Sequence, residues 1–248
     1  MFWKPSSSVN AIGLIAGQGD FPMVFAEAAS ALKQPLIVFG VKGYTDPRVE
    51  RFAKEVHYLD LGSLGSLVDL LKQTKIRKVV LAGGIPKKEM YNPGFKMDET
   101  AKSFIHQTRN KGDDHILKAL QLFLKTKCGV SIADPRVFLK DVLAVKGVMT
   151  KRAPTPADMS DLRFGWRIAK GIGKIDIGQT VVVKAGVVLA VEALEGTDAA
   201  IRRGGQLGRE GAVVVKVSKP NQDLRFDLPC VGTETLESMK AVNAKVMG

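Results

Sequence analysis

The sequence of 248 residues predicts an α/β protein of two domains. The first is built on a parallel sheet, and the second is an α/β domain richer in strands. Three observations carry that reading. The amino-terminal half runs twice through apolar strand, glycine turn and helix. Paired prolines, Pro154 and Pro156, stiffen the middle of the chain, and beyond Asp176 valine-rich strands joined by short turns take over. The domains are placed at residues 1–130 and 131–248.

The first strand is the apolar run of residues 11–16, which Gly17 and Gly19 interrupt. Pro22 suits the first turn of the helix that follows, because its missing N–H costs nothing there. A second apolar strand closes this βαβ opening at Gly40, Val41 and Lys42. The Gly17-Gln18-Gly19 turn resembles half of a dinucleotide fingerprint, in which glycines let phosphates approach backbone amides. Phe21 and Pro22 stand where the third glycine would be, and no acid follows the second strand. A turn needed only for chain reversal is the equal alternative. A helix over residues 63–74 and the strand KVVLA then lead to Gly83, Gly84 and Pro86, a second glycine loop at a strand's carboxyl end, where open α/β sheets bind ligands. In RNKGDDHILKAL, Asp113 and Asp114 precede an apolar helical pattern. The simplest reading is that they cap and favour the helix start, though Lys111-Gly112-Asp113-Asp114 is dense in charge.

The second domain opens on a helix through Leu162, Trp166, Ile168 and Ile172. TVVVK and VVLAVEA then form a hairpin about Ala185-Gly186, and AVVVKV adds a strand. Two polar stretches end these strands. VEALEGTDAAIRRGG brings Glu195, Thr197, Asp198 and Arg202 behind a run of valines, which local rules explain as a capped helix with an Asp198–Arg202 ion pair. SKPNQDLRFDLP, if extended, puts Asp223, Arg225 and Asp227 on one face and Leu224, Phe226 and Leu228 on the other. Carboxylates suit magnesium, and an arginine between them can clamp a phosphate. A solvent-facing strand stitched by an ion pair is the competing account. Lys219 and Gln222 add polar groups to the same piece.

Composition narrows the function. There are 37 basic and 25 acidic residues, a net charge of +12, so anionic partners are favoured. The basic residues are scattered and aromatics are few, which argues against nucleic acid. Cys128 and Cys230 fit neither a disulfide framework nor a zinc site and are expected to be small buried residues. No apolar run is long enough to span a membrane and the start lacks a signal peptide's core, so a cytoplasmic protein is predicted.

Taken together, GLIAGQGDFP, KGDD, DIGQTVVVKAGVVLAVEALEGTDAAIRRGG and KPNQDLRFDLPCVG resemble the UDP-2,3-diacylglucosamine pyrophosphatase family of the LpxI type, over most of the chain and in the family's order. The resemblance implies a magnesium-dependent hydrolase of lipid A biosynthesis. It would cleave UDP-2,3-diacylglucosamine into UMP and 2,3-diacylglucosamine 1-phosphate, with water directed at the β-phosphorus. It implies a Rossmann-like first domain facing a second α/β domain across a ligand cleft. The family's essential aspartate falls on Asp227, with Glu195 and Asp198, which match the family's motif, as further catalytic acids; Asp227 and Asp198 are the expected magnesium ligands, with Glu195 as the open alternative to Asp198. Gly17, Gln18, Gly19, Lys111, Gly112, Asp113, Asp114, Thr197, Arg202, Lys219, Gln222 and Arg225 fall on the substrate side. Gln18 departs from a glycine common in the family's first loop. Family members usually continue through a further strand and helix where this sequence ends, which leaves the second domain's completeness open.

An acylated substrate implies a basic protein docking peripherally on an anionic membrane surface, the inner membrane, without a spanning helix. Self-association into a homo-oligomer stays open. Two other readings keep the same residues: a soluble nucleotide-sugar hydrolase or transferase, and a non-catalytic nucleotide or lipid binder.

Overall fold

The computed structural model describes residues 11–85, 89, 92, 94–108, 113–220, 222–226 and 228–248. The chain forms two compact units, residues 1–143 with 223–227, and residues 144–222 with 228–248.

In the first unit β1 (Ile12–Ala16), β2 (Leu36–Val41), β3 (Glu55–Leu59), β4 (Lys78–Ala82) and β5 (Ser131–Ile132) form one parallel sheet in the order β3-β2-β1-β4-β5. Strand order reverses between β1 and β4, the switch point at which such sheets bind ligands. β1 and β2 are almost continuously buried, as apolar runs inside a parallel sheet should be. The helices are α1 (Phe21–Ala31), α2 (Leu64–Gln73), α3 (Glu99–Thr108) and α4 (Asp113–Cys128), of which α3 had not been predicted. Pro22 does sit in the first turn of α1, and Pro22, Phe25, Ala26 and Ala29 make its buried stripe. Phe25 is fully buried, a side chain whose removal from water stabilises by about 1.5–3 kcal/mol.

The unit runs on past residue 130 because β5 pairs with β4 and the Pro135–Val137 turn follows it. Its core joins Ile37, Phe39, Leu71, Val79, Leu124 and Ile132 to a residue from far along the chain, Phe226. Cys128 is half-buried against this core, whereas Cys230 of the second unit is exposed, against expectation. The two form no disulfide.

The second unit has α5 (Pro156–Lys174), the hairpin of β6 (Thr180–Lys184) and β7 (Val187–Val191), α6 (Thr197–Gly208), β8 (Val213–Lys216), α7 (Thr233–Ala241) and β9 (Val246–Met247). The sheet order is β7-β6-β8-β9, antiparallel except where β9 joins β8. Ala185 and Gly186 both have positive φ, 49° and 75°, the backbone of a tight two-residue hairpin. Asp161 of α5 fixes that turn, accepting from the Ala185 and Gly186 amides at 2.9 and 2.8 Å.

Period-two alternation divides the valines of β6 and β8 between two cores. Val181, Val183, Val213 and Val215 pack with Ala169 of α5, while Val182 and Val214 pack with Ile201 of α6 and Met239 of α7. The Gly204-Gly205 pair allows the second packing: a Cβ on Gly204 would lie 2.6 Å from Val182 Cβ, and one on Gly205 would overlap Val242. At the start of α5, Thr155 and Asp158 form a reciprocal capping box. Asp158, 1% exposed, also takes an ion pair from Lys245 at 2.6 Å and a longer one from Arg152 at 3.6 Å.

Candidate functional site

In the first unit the two predicted glycine loops meet at the carboxyl ends of β1 and β4, and they do so by bonding each other. Gly17 N donates to Ala82 O at 2.8 Å, Gln18 N to Gly84 O at 2.9 Å, and Gly84 N returns to Gln18 O at 3.1 Å. A Cβ on Gly17 would overlap the Gly84 carbonyl, and one on Gly83 would come 2.5 Å from Gln18 O. These glycines are therefore required by close approach of two backbones, and the Gly17 and Gln18 amides are already committed. Gly19, at φ 91°, has open space about its Cα, and no side chain caps the N-terminal turn of α1 behind it. An anion approaching this end would meet Gly19 and the start of α1.

Residues 223–226 also belong to this unit, and they do not form the extended strand expected of them. Phe226 N donates to Asp223 O at 2.9 Å, so the segment is a turn. The turn wins because Asp223 folds back on its own neighbour. It accepts from the Arg225 amide at 3.0 Å, from Arg225 Nε at 2.9 and 3.1 Å, and from Nη2 at 2.6 Å. Phe226 then points into the core, at 8% exposure. The guanidinium holds the Asp223 carboxyl below the ordinary carboxylate range, and Asp223 raises the Arg225 pKa in return. Arg225, expected to clamp phosphate, already spends two of its nitrogens on Asp223.

A second clasp of the same geometry follows β5. Asp134 accepts from the Arg136 amide at 2.9 Å, from Nε at 2.9 and 3.1 Å, and from Nη2 at 2.6 Å. Asp134 and Arg136 were not singled out from sequence. The signal was present as a repeated Asp-x-Arg tripeptide, Asp134-Pro135-Arg136 and Asp223-Leu224-Arg225.

The second unit assembles a polar cluster at the start of α6. Thr197 donates its hydroxyl to Glu192 Oε1 at 2.9 Å and accepts from Lys216 Nζ at 3.1 Å, while Lys216 also donates to Cys230 O at 2.8 Å. Glu192 is buried and directly follows β7, and Lys216 ends β8. Both were overlooked as site residues, since each reads in sequence as the polar close of an apolar strand.

The four-residue ion pair expected between Asp198 and Arg202 does not form among the described residues. Arg203 Nη2 instead donates to Glu195 Oε1 at 2.6 Å and to Val191 O at 2.8 Å. Glu195 also accepts from the Ala193 amide at 3.1 Å. Its pKa is lowered, first by its own backbone amide and then by Arg203. Asp198 is different: its Oδ1 is buried with no hydrogen-bond partner among the described residues. Arg202 is exposed.

Lys219 is 9% exposed in its side chain and ion-paired with Asp176. Gln222 Oε1 accepts from the Lys219 amide at 2.8 Å, which closes the loop behind Pro220. These two residues thus shape the loop they were expected to arm. Asp113 and Asp114 open α4, as the helix-start reading requires. Asp227, Lys111 and Gly112 lie outside the described residues. Among the described residues no three His, Cys, Asp or Glu side chains gather as a metal site, and no helix is long and apolar enough to cross a membrane.

A five-stranded parallel sheet, joined to a mixed-sheet unit whose strands end in acids and bases, defines a two-domain α/β protein. Comparison with known proteins gives it a family. The LpxI N-terminal domain model matches residues 11–142 and the LpxI C-terminal domain model matches residues 145–248. The chain belongs to the LpxI family. It is 32% identical to the UDP-2,3-diacylglucosamine pyrophosphatase LpxI of Caulobacter vibrioides, over 96% of this chain and 86% of that protein. A solved structure of the Hydrogenobacter thermophilus 2-oxoglutarate carboxylase biotin carboxylase domain aligns over 79% of this chain at 14% identity. The chain spans 41% of it with a TM-score of 0.29, a likeness too low to bear on fold or chemistry.

Proposed function

We propose that this protein hydrolyses the diphosphate of UDP-2,3-diacylglucosamine to UMP and 2,3-diacylglucosamine 1-phosphate in lipid A biosynthesis. The observation that carries the reading is the likeness, along nearly the whole length of both chains, to a pyrophosphatase acting on that lipid. The cluster at the start of α6 suits the chemistry. Lys216 and the hydroxyl of Thr197 offer positive charge and a hydrogen-bonding group beside free helix amides, which together favour phosphate oxygens. Arg202, exposed, is available to the substrate as a charge-assisted donor worth about 1.5–3 kcal/mol.

Magnesium is part of the proposal. The orphaned Oδ1 of Asp198 has the chemistry of a cation ligand, whereas both Glu195 oxygens already accept hydrogen bonds. Asp198 is therefore the described carboxylate assigned to the metal, and Asp227 the second ligand that the family pattern supplies. When bound, the metal offsets negative charge on the phosphoryl oxygens and lowers the pKa of a coordinated water. Thr197, Lys216 and Arg202 orient the diphosphate. One water adds across the bridging P–O bond at the β-phosphorus, the UMP oxygen leaves, and the proton is released to solvent or to an acid of the loop.

The net charge of +12 also suits an anionic membrane surface, from which an acylated substrate would be drawn. The purified protein should release UMP from the acylated UDP-sugar with added magnesium, lose that activity in EDTA, and leave UDP-glucose intact. Equal hydrolysis of UDP-glucose would favour a soluble nucleotide-sugar hydrolase. Substrate binding without product would make the protein a sensor.

A further inference from the structure

The strand ends that meet α6 carry a run of polar groups bonded in a fixed direction. Glu192, 9% exposed, accepts the Thr197 hydroxyl on Oε1 at 2.9 Å, and Lys216 Nζ donates to the same hydroxyl oxygen at 3.1 Å. A carboxylate can only accept and an ammonium can only donate, so the one proton of the Thr197 hydroxyl lies toward Glu192 and a lone pair faces Lys216. Both outer groups are held in place. The Glu192 amide donates to Thr180 O at 2.9 Å, its Oε2 accepts from the Gln179 amide at 3.4 Å, and a Cβ on Gly178 would overlap the Glu192 carbonyl. Lys216 stands opposite Thr180 in the β6–β8 register, two residues beyond Val214 and so on the face that packs on α6. Its Nζ also donates to Cys230 O at 2.8 Å. Among the described residues two of its three N–H groups are thus accounted for, and the third is available to an anion.

We infer that Glu192 is a positioning residue for Lys216 and acts through Thr197: it takes the hydroxyl proton, so that the hydroxyl oxygen and Cys230 O together hold the ammonium with one N–H left for a phosphate oxygen. Among the described residues no ion pair joins Glu192 directly to Lys216; the hydroxyl stands between them. Direct pairing would spend the lysine's charge within the protein. A neutral hydroxyl with a carboxylate behind it fixes the ammonium and leaves its charge for the ligand. The part played in substrate binding rests on the hydrolase reading above; the aiming of Lys216 does not.

The test is calorimetric binding of UDP, which carries a diphosphate, to the full-length protein in EDTA, where no metal takes part. Lys216→Met should weaken Kd about tenfold or more, the loss of one charge-assisted hydrogen bond. Glu192→Gln should weaken it about fivefold, because the new amide can donate to the Thr197 oxygen and compete for the lone pair that Lys216 uses. Thr197→Val should do the same, and Thr197→Ser, which keeps the hydroxyl, should bind as wild type does. In a Lys216→Met background neither Glu192→Gln nor Thr197→Val should cost anything further, and the two combined should cost no more than Thr197→Val alone. A Glu192 that only stabilises the fold would instead multiply its loss onto either background. Such multiplication overturns the inference, as does a folded Glu192→Gln protein that binds UDP like wild type. UDP that does not bind wild type, or binds with no regard to Lys216→Met, overturns it too. Should Glu192→Gln not fold, Glu192→Asp, which keeps the charge and withdraws the oxygens by one methylene, takes its place in the same cycle. A wild type that shows the expected pattern and cleaves no acylated UDP-sugar refutes the hydrolase reading and leaves this inference standing.

Discussion

Arg203, and not its neighbour Arg202, closes on Glu195, with 2.6 Å between Nη2 and Oε1. On α6 the two arginines differ by one position and so point about a quarter turn apart. Arg203 is turned back over the strand end, where it also holds Val191 O. Arg202 is left exposed, and the two should behave differently when removed.

Arg202→Ala should raise KM for the acylated UDP-sugar by about tenfold or more, the loss of one charge-assisted phosphate contact, with the melting temperature unchanged. Arg203→Ala should instead lower the melting temperature by a few degrees and affect KM less. Steady-state kinetics and thermal melts of the two variants separate the roles, and identical behaviour would remove the distinction.

Asp198 and Glu195 should separate in the same way toward magnesium. Asp198→Asn, which weakens a metal ligand while keeping its shape, should raise the magnesium concentration for half-maximal activity by an order of magnitude or more. Glu195→Gln should leave that concentration nearly unchanged, since its oxygens serve Arg203 and Ala193. A titration of activity against magnesium reads both.

The capping box of α5 predicts an acid limit on stability. Lys245, then the Thr155 amide and hydroxyl, hold the Asp158 carboxyl down from 3.8 to about 2. A depressed carboxyl contributes its full stabilisation above its unfolded value and loses it as pH falls through the folded one, here between about 4 and 2. At pH 7, Asp158→Asn should cost about 2 kcal/mol, of the order of a charge-assisted hydrogen bond to a buried group. Urea midpoints of wild type and variant should converge as pH is lowered toward 2.

The meeting of the glycine loops predicts intolerance at Gly83. Its φ of 81° and the 2.5 Å approach of a Cβ to Gln18 O combine backbone strain with a clash against main chain that cannot move aside. Gly83→Ala should destabilise the protein by about 2 kcal/mol or more, visible in the urea midpoint. Gly19→Ala meets open space but the same sign of φ, and should cost about 1–2 kcal/mol.

How far the sequence carried depends on the range of the interactions involved. The strands and helices were legible because apolar periodicity, Pro22 at the start of α1 and the Ala185-Gly186 turn act within a few residues. The placement of 223–226 was not. Alternation of Asp223, Arg225 and Asp227 with apolar neighbours suggested a strand, but one carboxylate bending back on the guanidinium two residues away gives a turn with the same pattern. The site was legible in its acids and not in its bases. Lys216 reaches its partners from a separate strand, and no local rule pairs it with Thr197 at 3.1 Å. The glycines were read for what phosphate would need, when the nearer demand came from the neighbouring loop's main chain.

The return of residues 223–227 to the first unit makes that unit discontinuous in the chain. The polypeptide passes from one unit to the other after residues 143, 222 and 227, so three covalent strands join them where a tandem pair of domains would have one. Expressed alone, residues 1–143 would lack the Phe226 ring from their core, a deletion of the kind that costs about 3–5 kcal/mol. A cut at the 143 crossing would leave residues 223–227, and with them the Phe226 ring, on the carboxyl-terminal fragment, so that residues 1–143 would be parted from a piece of their own core.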